Sequence, residues 1–242
     1  MLNSIIERHS KITPLSNTEI KVIQSATRLF LKQGFSKTTH RQIAEESGIG
    51  LGTITYHYKV KEDLLRVLIE ELMDFHLDII EDSEAESNDN LFSYAMEIAV
   101  QIALCETDDR AYDLYYSAYS HPATFDYIKD WAAKKNYHLL KSKLPDWTED
   151  DFRRVENVTG GIELAAFTAP KNRYFTLNDK INLFLDSMMK IYDIPENDRK
   201  QTIDKVISLD CEKIAKEMFG KFVSRLDGDK QNECNITIIK QI

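Results

Sequence analysis

The chain has 242 residues, a net charge of −9, eight glycines and five prolines. This length allows one large or two small domains with a buried core, and so few Gly and Pro argue against a loop-rich β or α/β fold. No run approaches the ~18 consecutive apolar residues of a membrane span, and residues 1–10 lack the apolar stretch of a signal peptide. The sequence therefore predicts a cytoplasmic, mainly helical protein with no membrane partner.

The negative charge is unevenly distributed. Residues 1–66 contain ten Lys/Arg and six Asp/Glu, a net +4, and the other 176 residues contain 21 and 34, a net −13. Because phosphates respond to the local potential, the acidic total does not exclude a nucleic-acid-binding N-terminal part. Cys105, Cys211 and Cys234 show no metal-ligand spacing and are interpreted as reduced thiols.

The first predicted helix follows an N-terminal arm, residues 1–15. Ser16 is its expected N-cap, and Glu19 is the capping-box partner three residues later. Apolar residues then recur at helical spacing, and Gly34 is the expected end of the helix.

Two short helices and a tight turn come next. Thr39 and Gln42 form a second capping-box pattern, and Gly48 lies where a helix end favours a residue that tolerates positive φ. The second of these helices is predicted over 51–58, and a long fourth helix starts near Val60. A helix–turn–helix of this size offers its second helix to the major groove of DNA.

Three linked blocks in this region resemble a known family. They are A-T-R-L-F-L-K-Q-G-F-S-K-T-T at 26–39, I-A-E-E-S-G-I at 43–49 and G-T-I-T-Y-H-Y-K-V-K-E-D-L-L at 52–65. Together they resemble the DNA-binding domain of the tetracycline-repressor (TetR) family of transcriptional regulators. The resemblance covers about a quarter of the chain, residues 17–72.

The resemblance implies an all-α fold with a ligand-binding and dimerisation body behind the helix–turn–helix. The expected segments are the arm 1–15, the helix–turn–helix domain 16–60, a connecting helix 61–82, the body 83–226 and a C-terminal tail 227–242.

The resemblance also implies which residues face DNA. The candidates are Thr39, Arg41, Gln42, Leu51, Gly52, Thr53, Thr55, Tyr56, His57 and Lys61. Independently, Thr53 and Thr55 have the chemistry to meet base edges or thymine methyls, and Tyr56 and His57 can donate to phosphates. The family usually has an aromatic residue where this chain has Thr55, so its operator sequences do not carry over. Tyr58 is expected to pack inside the domain.

The body is predicted to be helical throughout. An acidic break at 81–90 separates it from the fourth helix. The expected helices are 90–105, 108–120, 123–143, 148–169, 178–193 and 196–224, with Pro122, Pro145, Pro170 and Pro195 between them.

Aromatic residues are concentrated over 112–137. Aromatic walls with a few polar groups suit a small-molecule pocket, and ordinary core packing is the alternative for each residue. The candidate ligand-binding residues are Tyr112, Tyr115, Tyr116, Tyr119, Trp131 and Asn157. Ser117, Ser120 and Glu163 are further possible polar anchors.

Residues 150–169 and 178–193 form the candidate dimerisation pair. The first segment contains the small residues Gly160, Gly161, Ala165 and Ala166, which permit close helix approach. The second offers Ile181, Leu185, Met188 and Met189 at helical spacing. Two such helices from each subunit would form a four-helix interface, and packing within one subunit is the alternative.

These features predict a homodimeric repressor that an unknown small-molecule effector releases from a near-palindromic DNA operator. A DNA-bound architectural or division-control protein without an inducer is the alternative. An enzyme is disfavoured because the chain has no nucleophile elbow, phosphate-binding Gly loop, H-E-x-x-H or paired Cys motif. No catalytic residue, metal site or cofactor is predicted.

Overall fold

The computed structural model describes residues 16–87, 89–170 and 172–227. The N-terminal arm, Cys234 and the tail from residue 228 lie outside the described residues. Apart from one isolated antiparallel bridge between Asn172 and Phe175, the regular structure of the described residues is helical. The helices are α1 (Asn17–Gln33), α2 (His40–Ser47), α3 (Leu51–His57), α4 (Lys61–Ser87), α5 (Asn90–Thr107), α6 (Asp109–Ser120), α7 (Pro122–Leu140), α8 (Glu149–Thr168), α9 (Leu177–Ile191), α10 (Glu196–Ile207) and α11 (Cys211–Asp227). The predicted all-α fold is confirmed.

The helix boundaries of the N-terminal domain follow from local chemistry. Both predicted capping boxes form, with Ser16 and Thr39 accepting from the backbone N–H groups of Glu19 and Gln42. Gly34 ends α1 at φ 93°, and Gly48 ends α2 in the left-handed region at φ 68°. These are conformations that residues with a Cβ rarely adopt.

Three predicted boundaries in the rest of the chain need correction. The fourth helix continues to Ser87, well past the expected end at 82, so the acidic segment is largely helical. Pro122 is the first residue of α7 rather than part of the gap before it, because a proline at that position loses no helical hydrogen bond. The segment 196–224 is two helices, since Asp210 accepts from the backbone N–H of Lys213 and starts α11.

The body is built around α5. Residues 91–105 of this helix are buried on all sides, as expected of a helix enclosed by others. It packs against α4, α6, α7, α8, α9, α10 and α11. Polar side chains on α5 therefore face a core and not solvent. In the described part of the chain, no helix is long and apolar enough to span a membrane.

Candidate nucleic-acid interface and buried polar cluster

Very few residues of helix α3 are buried in the domain. Within the helix only Ile54 is buried, and Tyr58, which ends it, is 9% exposed. The other residues of the helix are all exposed: Leu51, Gly52, Thr53, Thr55, Tyr56 and His57. Tyr56 is the extreme case, at 80% exposure. The predicted DNA-facing residues of this helix thus share one open surface, while Tyr58 packs inside as expected.

Two side chains of this surface also have contacts within the protein. The Thr55 hydroxyl donates to the Leu51 carbonyl at 3.1 Å. His57 Nδ1 lies 3.5 Å from the Glu19 carboxylate of α1, and the His57 ring meets the Tyr56 ring edge-on at 5.2 Å. Tyr56 is therefore the side chain of α3 that is most available to a partner.

The start of α2 contributes the other candidates. Thr39 and Gln42 are engaged with each other, because the Thr39 N–H and hydroxyl both donate to Gln42 Oε1, at 2.9 and 3.1 Å. Arg41 is exposed between them. Thr39 and Gln42 thus cap the N-terminus of α2, and Arg41 contributes a positive charge to this surface.

Lys61 connects the start of α4 to the loop after α1, which we term the junction loop, residues 34–38. Its ammonium donates to the carbonyls of Phe35 at 2.6 Å and Thr38 at 2.9 Å, and it lies 3.9 Å from the centre of the Phe35 ring. Burial lowers the pKa of Lys61, and nearby Glu62 and Asp113 oppose that shift. Two of its three donors are used within the domain.

The junction loop is also held from the body. Asp113 of α6 accepts from the Ser36 backbone N–H at 3.1 Å and from the Ser36 hydroxyl at 2.6 Å. A Cβ at Gly34 would approach Asp113 Oδ2 to 3.0 Å, so glycine there permits both the positive φ and the close approach of α6. One turn earlier, Arg110 reaches the Leu31 carbonyl at 3.5 Å. Helix α6 is therefore fastened to the end of α1.

The six predicted ligand-binding residues separate into two groups. Tyr115, Tyr119 and Trp131 are buried in the body. Tyr112 and Tyr116 stack on each other at 5.9 Å, nearer the surface, with Tyr116 at 43% exposure. Asn157 is exposed and accepts from Lys129 at 3.1 Å. Tyr116 and Asn157 thus lie at the surface, whereas Tyr112 is partly buried and packs against the core that contains the three buried residues.

Buried polar side chains, five of them ionisable, surround the three buried aromatics. We term this set the buried polar cluster: His76, Glu97, Gln101, Lys135, Asn136, Glu156 and Glu163. Each is at most 6% exposed. Lys135 forms an ion pair with Glu97, and the hydroxyls of Tyr192 and Tyr119 donate to Glu156 and Glu163, respectively. Helices α4, α5, α7 and α8 all contribute members.

The carboxyl groups of the cluster outnumber its cationic side chains. Burial raises the pKa of Glu97, but Lys135 and His76 outweigh that effect and hold it below its usual value. Burial lowers the pKa of His76, which favours the neutral ring. Burial raises the pKa of Glu163 to about 8, reinforced by repulsion from Glu156, and burial raises that of Glu156 too. Within the described cluster, Lys135 is the lysine that faces all three carboxyl groups, those of Glu97, Glu156 and Glu163.

Three buried oxygens beside these groups have no hydrogen-bond partner among the described residues: Tyr94 Oη, Gln101 Oε1 and Asn136 Oδ1. The amide nitrogen of Gln101 donates to Glu97 at 3.1 Å, and that of Asn136 donates to Glu156 at 2.8 Å. The cluster therefore has unused acceptors as well as excess carboxyl groups.

Sequence reasoning found only Glu163 of this cluster. A usable signal was present on α8, where Phe152, Glu156, Thr159, Glu163 and Ala166 are spaced by alternating steps of four and three and are all buried. Acidic residues in register with an apolar helix stripe are rare in a core unless they are paired.

The α8–α9 pair presents an apolar surface, but not with all the predicted residues. Ile181, Leu185, Met188 and Met189 are buried in the subunit's own core, as are Gly160 and Ala166. A Cβ at Gly160 would come within 2.9 Å of the Phe125 ring. Gly161 and Ala165 are exposed, together with Val158 at 52% and Leu183 at 53%.

The family model described as bacterial regulatory proteins, tetR family, matches residues 22–68, from the middle of α1 into α4. The helix–turn–helix part of the chain is therefore similar to that of the tetR family.

Named relatives of the chain are similar over a part or most of its length. The HTH-type transcriptional regulator TtgR of Pseudomonas putida is 29% identical over 85 residues, which span 35% of this chain and 40% of TtgR. The biofilm operon icaADBC HTH-type negative transcriptional regulator IcaR of Staphylococcus epidermidis is 26% identical over 200 residues, 78% of this chain and 95% of IcaR. Both relatives are transcriptional regulators by name.

A solved structure shows that the similarity in fold extends beyond the helix–turn–helix domain into the body. The crystal structure of RolR in complex with the ligand resorcinol aligns with a TM-score of 0.61 at 17% identity, covering 77% of this chain and 92% of that chain. At this identity the likeness shows the fold alone: an N-terminal helix–turn–helix domain followed by a helical body.

Proposed function

We propose that the protein is a homodimeric, sequence-specific transcriptional regulator, a repressor released from a near-palindromic operator when a small molecule binds in its body. The observation that carries the proposal is the open surface of α3, where Ile54 is the only buried residue of the helix. A helix held by one side chain and exposed elsewhere suits insertion into the major groove.

The DNA-contacting surface in this proposal combines α3 with the start of α2. Tyr56, His57 and Arg41 supply donors to phosphates, and Thr53 supplies a hydroxyl and a methyl group for base edges. Lys61 retains one ammonium donor for a phosphate. The net +4 of residues 1–66 supplies the favourable potential.

The dimer in this proposal forms through α8 and α9. Val158 and Leu183 are more than half exposed in the single subunit, and Gly161 and Ala165 beside them allow close approach of a second α8. A two-fold pair would place two α3 helices about one DNA turn, or a multiple of it, apart.

Two helices, α4 and α6, connect the buried polar cluster, where the effector would bind, to the helix–turn–helix domain. Helix α6 carries Tyr115 and Tyr119 beside the buried polar cluster and Asp113 at the junction loop. Helix α4 carries His76 within the cluster and Lys61 at the same loop. A ligand that binds better to one arrangement of α4 and α6 would therefore shift the distance between the two α3 helices of the dimer.

Selection of bound fragments from the host genome, followed by fluorescence anisotropy on the enriched fragment, tests the proposal. We expect one near-palindrome to be enriched. Tyr56→Ala should weaken its binding about tenfold or more, a loss of about 1.4 kcal/mol, without changing the melting temperature. Tyr174→Ala is the matched control, because Tyr174 is 78% exposed and lies between α8 and α9. It should leave binding unchanged.

The other outcomes separate the alternatives. Tight binding without sequence preference would favour an architectural role. Failure of a folded dimer to bind DNA would contradict both roles, provided native mass spectrometry shows that no copurified ligand is bound.

A further inference from the structure

We propose that the effector is a lipophilic amine, and that its ammonium group binds in the buried polar cluster beside Glu163. The regulatory role of this amine rests on the proposed function. Its binding to the protein can be tested without DNA. It follows from the charge count, the unused acceptors and the aromatic surroundings of the cluster.

Charge is the first argument. Lys135 pairs with Glu97, and the neutral form of His76 is favoured, so among the described residues Glu156 and Glu163 have no ion pair of their own. Glu156 accepts from Asn136 at 2.8 Å, from Thr159 at 3.1 Å and from the Tyr192 hydroxyl. Among the described residues, Glu163 accepts a hydrogen bond from the Tyr119 hydroxyl alone. A buried carboxyl group with so few donors is costly to ionise, and a bound cation would favour its ionised form.

Hydrogen bonding is the second argument. The unpartnered atoms around the cluster are oxygens, and Gln101 Oε1 and Asn136 Oδ1 can only accept. Their own amide nitrogens already donate to Glu97 and Glu156. An anionic ligand would leave these oxygens unsatisfied, whereas an ammonium group brings three donors.

The surroundings of Glu163 are the third argument. The ring of its partner Tyr119 lies 5.1 Å from Phe167 and 5.4 Å from Phe125, and Tyr115 lies 5.3 Å from Phe167. Aromatic faces attract cations and cover apolar groups. Glu163 is also the most accessible of the three carboxyl groups, at 6% exposure against 0% for Glu97 and 1% for Glu156.

Protonation provides a distinctive signature. With a pKa of about 8, the Glu163 carboxyl group is mostly protonated near neutral pH. Its surroundings include Glu156 on α8, Glu97 on α5, Lys135 on α7, and the hydroxyls of Tyr115 and Tyr119 on α6. When an ammonium ion binds beside it, the carboxyl proton passes to the buffer and the carboxylate remains paired with the ligand. Binding should therefore release about one proton.

A matched ligand series tests the proposal. The probes are 1-naphthylmethylamine, 1-naphthalenemethanol and 1-naphthoate, with octylamine, octanol and octanoate as an aliphatic set. Titration calorimetry of the full chain near pH 7, in buffers of different ionisation enthalpy, gives affinity and proton release together. We expect the amine of at least one set to bind at least about tenfold more tightly than its alcohol, with release of about one proton and no detectable binding of the carboxylate.

Glu163→Gln is the diagnostic variant, because glutamine is isosteric with the protonated acid and should preserve the fold. It should lose both the preference for the amine and the proton release. Asp150→Asn on the exposed face of the same helix is the control and should behave as wild type. The wild-type series alone decides the matter if the variant fails to fold.

The proposal is overturned if no probe binds, if the alcohol or carboxylate binds as tightly as the amine, or if Glu163→Gln behaves as wild type. Amine binding by a protein that selects no operator would overturn the proposed function and leave the amine site standing. Operator binding without an amine preference would overturn the amine site and leave the proposed function standing. If the protein binds both the operator and the amine, adding the amine should lower the anisotropy of the operator complex.

Discussion

At the scale of single residues, Lys61 shows how one side chain can serve two purposes. The sequence places it among the DNA-contacting candidates, and the structure engages it with the carbonyls of Phe35 and Thr38. These contacts fix the junction loop against the start of α4. A charge close to the proposed DNA surface thus also determines how that surface is held.

We expect Lys61→Met to lower the free energy of unfolding by about 1–2 kcal/mol, because two carbonyls lose a charged donor. Urea unfolding followed by circular dichroism measures this. Lys59→Met, at an exposed position two residues earlier, is the control and should have little effect. Equal stability of the Lys61→Met variant and wild type would show that these contacts do not stabilise the loop.

Local features were predictable because they depend on residues within a few positions of each other. The capping pairs Ser16–Glu19 and Thr39–Gln42 and the helix ends at Gly34 and Gly48 are of this kind. The rotation of a helix in its surroundings is not local. The pattern of α9 identified Leu185 and its apolar neighbours but could not say whether they face the subunit's own core or a second subunit.

At the scale of elements, α6 joins two parts of the molecule that differ in charge. Its inner face carries Tyr115 and Tyr119 into the body, and its outer face carries Asp113 to Ser36 of the junction loop. No sequence pattern foretold this contact, because the residues are 77 positions apart and both are polar and common.

We expect Asp113→Ala to accelerate hydrogen exchange at the Ser36 amide severalfold, since that N–H loses its acceptor. Exchange in α2 should be unchanged, and the melting temperature should fall only slightly because the contact is exposed. Asp109→Ala in the first turn of the same helix is the control. Unchanged exchange at Ser36 would mean that Asp113 does not restrain the loop in solution.

At the scale of the whole molecule, the exposed apolar surface and the buried carboxyl groups have separate consequences. The surface around Val158 and Leu183 bears on assembly, and the buried polar cluster bears on how stability responds to pH. Both are properties of the complete body, since each combines residues from more than one helix.

Leu183→Glu should convert the proposed dimer to a monomer, because it places a charge in an interface that must exclude water. Analytical ultracentrifugation over a concentration series measures the change. Tyr116→Glu is the control, since Tyr116 is similarly exposed, at 43%, but lies on α6. A dimer that survives Leu183→Glu would exclude the α8–α9 surface as its interface.

Glu163 should give the protein a stability that decreases as pH rises. Its pKa increases from 4.5 to about 8 on folding, so the folded protein holds this proton more tightly than the unfolded chain does. That contribution is fully present below about pH 4.5 and is lost as pH rises to about 8, with a slope of at most about 1.4 kcal/mol per pH unit. Glu163→Gln should lack this component.

Urea unfolding of both proteins across that range measures the difference. The stability of Glu163→Gln relative to wild type should increase steadily from pH 5 to pH 8. A constant difference would show that Glu163 titrates as an ordinary exposed carboxyl group.

The double attachment of the junction loop also has a consequence for building hybrid sensors. A designer who joins residues 16–60 to the body of another regulator would cut between the loop and both of its anchors, Lys61 and Asp113. Under the proposed function, such a chimera would keep its operator preference and lose its response to the effector. Transplanting the start of α4 and the outer face of α6 along with the reading domain would preserve the attachment, so the exchangeable module of this protein is discontinuous in sequence.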